Sequence, residues 1–157
     1  MYGKEIIVPR RVFSYGNEHI SYTYTRKTEK SVEWTTFMKK MRDLIFKMCQ
    51  KLDDENETFN FVLINKYMNE NDYIGAHSDN EEDIIPESHI ASLSVGENRQ
   101  FSFISKNNNE KKSIILKSVS LLLMMGKTQQ LYKHELPKSK SQCDVRYNLT
   151  FRHLKNN

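Results

Sequence analysis

Cysteine is scarce in this chain of 157 residues: there are two, Cys49 and Cys143. Two thiols make no disulfide framework, so the fold must rest on a packed core, and both are read as reduced thiols of an intracellular protein. Proline and glycine number only three and five, which excludes collagen-like and Pro/Gly-rich low-complexity classes. Long hydrophobic runs are missing too. The most apolar stretch, Val119–Met125, falls far short of the ~20 residues that cross a bilayer. The start, Met1-Tyr2-Gly3-Lys4-Glu5, lacks the basic and apolar regions of a secretory signal. No membrane contact and no targeting signal are therefore expected, with a place in nucleus or cytoplasm, and the chain is taken as a monomer. Nothing repeats internally, and no linker composition interrupts residues 1–157, so one domain is expected.

Charge and short β-like segments are abundant. The 24 Lys and Arg outnumber the 20 Asp and Glu, for a formal net charge of +4. That balance is compatible with an anionic partner such as nucleic acid and too small to specify one. The period changes along the chain. Over residues 31–52, Trp34, Phe37, Met38, Met41, Leu44, Ile45 and Met48 recur at helical spacing, which predicts one long helix with this stripe packed in the core. Ser31 is the expected N-cap, and Asp53-Asp54-Glu55 the expected stop. Beyond it, strands are predicted at Thr58–Tyr67, Ile90–Val95, Gln100–Ser105, Ser113–Lys117, Ser120–Met125, Leu131–Leu136 and Arg146–His153, the second and third joined as a hairpin through Gly96-Glu97-Asn98-Arg99. Many short strands after a helix argue a mostly β (α+β) chain folded as a jelly roll, the double-stranded β-helix.

Two segments carry chemistry. In Tyr73–Glu81, His77 and Asp79 are two apart, so an extended backbone points both to one face. An imidazole and a carboxylate are two of the three ligands of a facial-triad iron site. His134, just past an apolar run, fits as the third. The second segment, Arg146-Tyr147-Asn148-Leu149-Thr150-Phe151-Arg152, alternates strictly. Tyr147, Leu149 and Phe151 form one face; Arg146, Asn148, Thr150 and Arg152 form the other. A face with arginine at both ends is costly to bury unless it meets an anion, and a dicarboxylate suits guanidinium forks. An edge strand with a solvated polar face is the competing reading.

Taken together, Asn65-Lys66-Tyr67, His77-Ser78-Asp79, His134 and the closing RYNLTFR resemble the AlkB family of Fe(II)/2-oxoglutarate dioxygenases, closest to the eukaryotic members that repair alkylated double-stranded DNA. The resemblance extends through VPRR at Val8–Arg11, SYTYT at Ser21–Thr25, TFNFVLIN at Thr58–Asn65, PESHIASLSVG at Pro86–Gly96, LLLMMG at Leu121–Gly126 and HELP at His134–Pro137. It implies a nucleotide-recognition lid over residues 1–30, a supporting helix over 31–52 and a catalytic jelly roll over 58–153. It implies Fe(II) on His77, Asp79 and His134, and 2-oxoglutarate on Asn65, Tyr67, Arg146, Asn148, Thr150 and Arg152. The implied reaction is oxidative demethylation of 1-methyladenine and 3-methylcytosine in DNA, releasing formaldehyde, succinate and carbon dioxide. A target base leaves the stack to reach the iron, held by resemblance between Tyr24 and His77, with Tyr22 and Thr23 beside it. Glu81 is the expected acidic contact to the base, next to Asn80, where the closest relatives carry aspartate. Tyr2, Gly3 and Lys4 match a finger that fills the hole left by the base. Arg10, Arg11, Lys111, Lys112, Lys138 and Lys140 are candidate phosphate contacts. Duplex-acting relatives are longer at the N-terminus, so motifs of that segment are expected to be absent. Two other readings stay open: an RNA demethylase with the same chemistry, and an inactive nucleic-acid-binding module.

Overall fold

The long helix begins one turn later than the hydrophobic pattern suggests. The computed structural model describes residues 10–18, 20–24, 27–52 and 58–155, with 21–24 and 27–30 described by their backbone. The cap is Thr35, whose hydroxyl oxygen accepts the Met38 N–H at 3.2 Å, and α1 spans Thr36–Gln50. Ser31, the expected cap, instead donates to the Ile20 carbonyl at 3.0 Å. Val32–Glu33, inside the expected helix, is a short strand, as suits a β-branched residue. Asp53-Asp54-Glu55 lies outside the described residues.

The strands are β1 (Arg11–Gly16), β2 (Ser21–Tyr24), β3 (Lys27–Lys30), β4 (Val32–Glu33), β5 (Phe61–Tyr67), β6 (Ile74–His77), β7 (Ile90–Gly96), β8 (Arg99–Ser105), β9 (Lys111–Leu116), β10 (Ser120–Met124), β11 (Tyr132–Leu136) and β12 (Arg146–Arg152), with a one-turn helix α2 (Thr128–Leu131) before β11. They form a six-stranded sheet in the order β10-β7-β12-β5-β1-β4, a four-stranded sheet β6-β11-β8-β9 and the pair β2-β3. Strand β12 therefore lies in the middle of the large sheet, bonded to β5 and β7 on either side, so it is not an edge strand.

Register explains why both faces of β12 are buried. On one face Leu149 aligns with Leu93 and Ile64, and Phe151 with Ala91 and Val62. These residues pack with Trp34, Met38, Ile45 and Cys49 against α1. The other face looks into the space between the sheets, where Tyr67 and Leu122 of the large sheet meet Phe101, Leu116, Leu136 and Ile74 of the small one. Ile20, Phe61, Leu63, Ile84 and Leu154 close one end.

Two expectations are corrected. The β7–β8 hairpin does not form: β7 pairs with β10 and β12, while β8 pairs with β9 and β11. The connection is anchored elsewhere, so it carries the chain from one sheet to the other. Glu97 N–H donates to Val145 O at 3.1 Å, and buried Arg99 donates to the carbonyls of Asn69, Asp72 and Pro137. The helical stripe is not all core. Met38 and Ile45 are buried, whereas Phe37, Leu44 and Met48 are 67%, 59% and 45% exposed. A helix about 10 Å across faces the sheet with a limited arc, and the pattern is wider than that arc.

Candidate active site

The three candidate ligands converge from two adjacent strands of the small sheet. His77 ends β6 and His134 lies directly opposite it on β11. Asp79 follows two residues beyond the ladder. His77 Nε2 is 3.5 Å and His134 Nε2 3.9 Å from Asp79 Oδ1, and the three donor atoms all lie within 4.8 Å of one another. A metal ion at about 2.0–2.2 Å from each donor holds such atoms roughly 3 Å apart, so this set needs only a small inward shift to accept one.

Each ligand is held by a partner. His77 Nδ1 sits 2.8 Å from Gly75 O; with the proton there, Nε2 keeps its lone pair for a metal. Arg152 donates to Asp79 Oδ2 from Nη2 at 2.7 Å and from Nε at 3.2 Å. Asp79 is 3% exposed. Burial alone would raise its carboxyl, but Arg152 and the two imidazoles outweigh burial and hold it well below the usual carboxylate range. Its Oδ1 is thereby left facing the imidazoles. Burial pushes His134 down to about 4, partly opposed by Asp79, so at neutral pH it is an uncharged imidazole, the form that could bind a metal. Phe101 stacks on its ring at 5.5 Å.

The pocket beside the triad is lined by Arg10, Leu63, Asn65, Tyr67, Ser92, Asn148, Thr150 and Arg152 from the large sheet's side, with Ile74, Phe101 and Leu136 opposite. Arg146 is fully buried and is not among the lining residues; its Cζ lies 5.3 Å from the ring centroid of Tyr67, which is. Its Nη2 donates to Ser94 Oγ at 2.9 Å. Nε and Nη1 are buried with no hydrogen-bond partner among the described residues. Burial lowers Arg146 to about 10, which still leaves a cation at neutral pH. A buried guanidinium with unmet donors is costly, and a carboxylate is the group that relieves it. Asn148 donates to Ser92 Oγ at 2.8 Å, and Asn65 accepts from Arg10 Nε at 2.7 Å. Arg10, expected at a phosphate, thus turns into the pocket.

Other expected residues lie elsewhere. Asn80 and Glu81 line a neighbouring groove that Asp79 also borders. Tyr22, Thr23 and Tyr24 lie on β2, paired with β3; their side chains, like Tyr2, Gly3 and Lys4, are outside the described residues. Lys111 pairs with Glu135, Lys112 with Glu110, and Lys138 lies over the Tyr73 ring. Sequence reasoning missed Ser92 and Ser94, the seats of Asn148 and Arg146, which alternate at i and i+2 within SLS. It also missed Gln129, whose only signal is its place five residues before His134.

The 2OG-Fe(II) oxygenase superfamily profile matches residues 4–152. This chain belongs to that superfamily. Within it, the relatives are AlkB-family proteins. DNA oxidative demethylase ALKBH2 of Mus musculus is 35% identical over 162 aligned residues, covering 98% of this chain and 65% of the relative. Alpha-ketoglutarate-dependent dioxygenase alkB homolog 3 of Homo sapiens is 34% identical over 154, covering 92% and 51%. The chain thus spans less than two thirds of the length of these curated relatives. The solved structure of OsALKBH1 superposes with a TM-score of 0.61 at 20% identity, covering 80% of this chain and 68% of that one, which shows the fold. The 2OG-Fe(II) oxygenase fold is the expected jelly roll, and the superfamily's Fe(II) and 2-oxoglutarate agree with the His-Asp-His donor set.

Proposed function

We propose that this AlkB-family oxygenase demethylates N-alkylated bases in DNA, with 1-methyladenine and 3-methylcytosine as substrates and formaldehyde, succinate and carbon dioxide as products. The observation that carries the reading is one strand face. Along β12, Arg152 secures the carboxylate of the triad, while buried Arg146 presents unmet N–H donors behind it. A metal with open positions and a dicarboxylate both fit that face.

In this reading His77, Asp79 and His134 hold Fe(II). Arg146 receives the far carboxylate of 2-oxoglutarate, and Asn65, Tyr67, Asn148 and Thr150 line its path. Iron and cosubstrate together supply an oxidant able to attack the N-methyl C–H bond. The chain's own residues supply the rest. Arg152 keeps Asp79 ionised and aimed, the Gly75 carbonyl fixes the His77 tautomer, and Leu63, Ile74, Phe101 and Leu136 exclude water. Residues 1–30 act as the lid, with Tyr22, Thr23 and Tyr24 on the base, Asn80 and Glu81 near it, and Tyr2-Gly3-Lys4 as the finger. The reading takes the protein to act as a monomer. The ALKBH2 relatives, named as DNA oxidative demethylases, support DNA over RNA.

Matched methylated oligonucleotides, as duplex DNA, single-stranded DNA and RNA, are incubated with the protein, Fe(II) and 2-oxoglutarate while formaldehyde and succinate are followed. Equimolar release on DNA is expected. Release on RNA alone changes the substrate, and none on any of them leaves a binding module.

A further inference from the structure

The β6–β11 ladder has reached its end when the chain arrives at Asp79. His77 aligns with His134, and residues 78–80 carry no strand pairing. The backbone of Asp79 therefore has no ladder to hold it. Its N–H instead donates to the side-chain oxygen of Gln129 at 3.0 Å. The neighbouring Ser78 hydroxyl donates to Tyr132 O at 2.8 Å. Both ties run to the short segment that leads into His134.

Gln129 is a fixed point. Lys106 Nζ donates to its backbone carbonyl at 2.8 Å, Gln130 Nε2 to Glu87 Oε1 at 2.8 Å, and its own Nε2 contacts Met124 Sδ at 3.4 Å. The helix α2 is thus pinned from β8's end, from the 81–88 loop and from β10. Asp79 is gripped twice, by Arg152 on the carboxylate and by Gln129 on the backbone, and only the second grip sets where the Cα stands relative to His134.

We propose that Gln129 is a positioning residue for the metal: its side-chain oxygen holds the Asp79 backbone so that Oδ1 meets the two imidazoles. The proposal rests on the reading of His77, Asp79 and His134 as metal ligands, and its chemistry predicts what replaces it. Glutamate keeps the acceptor oxygen; methionine keeps the length and loses it.

The test is titration of wild type, Gln129→Met and Gln129→Glu with Mn(II) alone, with melting temperatures in EDTA beside it. Gln129→Met is expected to weaken Mn(II) binding about tenfold, the low end for a residue that orients a ligand. Gln129→Glu is expected to retain binding, and all three proteins to melt alike without metal. Equal affinity in wild type and Gln129→Met overturns the proposal, and so does an equal loss in Gln129→Glu. Wild type that fails to bind Mn(II) overturns the reading of the triad instead. Where Gln129→Met does not fold, Gln129→Ala is read by the same outcomes.

Discussion

Arg146 and Arg152 lie six residues apart on one face of β12 and do different work. Arg152 is spent on Asp79, whereas Arg146 keeps donors open. Arg146→Ala is expected to raise the 2-oxoglutarate concentration needed for succinate formation by roughly 10–150-fold, the worth of a charge-assisted hydrogen bond at about 1.5–3 kcal/mol. Arg152→Ala is expected to weaken metal binding first. Titrating both variants with Mn(II) and with cosubstrate separates them; identical shifts in both constants would end this division. His134 adds a pH dependence. Its folded value of about 4 lies below the ordinary 6.5, so as pH falls the unfolded chain takes up the proton first. The stability this gives is complete above about 6.5 and is lost as pH falls toward 4. Melting in EDTA at stepped pH should show that slope, and His134→Gln should flatten it. His77 and Asp79 were legible because two residues two apart share a face of any extended chain. The Arg152–Asp79 contact spans 73 positions, and no local pattern encodes such a pair.

Among the elements, α1 was found through its period, yet the same period misassigned three of the seven residues in its stripe. Periodicity reports where apolar side chains point, not how wide a surface awaits them. Met38, 5% exposed, is expected to cost about 2–5 kcal/mol when cut to alanine. Leu44→Lys, on the open side, is expected to change stability by less than about 0.5 kcal/mol. Denaturant unfolding of both variants checks the contrast, and comparable losses would mean that the ridge is covered. The β7–β8 connection failed as a hairpin for another reason. Gly96 has φ +98°, and a Cβ there would stand 2.3 Å from Val145 O. Glycine in a short loop reads the same whether the chain folds back or crosses to another sheet. Gly96→Ala is expected to cost at least about 1–2 kcal/mol from the backbone alone, measurable as a lower urea midpoint; an unchanged midpoint would show that the crossing tolerates a side chain.

For the whole molecule, many short strands made the jelly roll legible, and the two-sheet order did not follow from them. Sheet membership depends on pairings such as Thr150 with Leu63 and Ser92, which lie far apart in the chain. Substrate choice also belongs to this scale, since a duplex is larger than any one pocket. Tyr2→Ala is expected to lower repair of duplex DNA more than repair of single strands, because only a duplex presents a hole when a base is extruded, at a cost of a few kcal/mol. The ratio of the two rates on one lesion is the measurement. An unchanged ratio removes the finger from the mechanism.

The central place of β12 has a consequence for how the protein is made. A ribosome adds about 5–20 residues each second, so β5 and β7 emerge on the order of seconds before the strand that joins them. During that interval each exposes an apolar edge toward the gap, the kind of edge that templates aggregation. The nascent chain can pair β1 with β5 and β7 with β10, but these remain two half-sheets, and Arg146 and Arg152 have not yet been translated. Both guanidiniums therefore arrive only with β12, and a shortened product of interrupted synthesis that lacks residues 146–152 leaves Asp79 without its Arg152 partner.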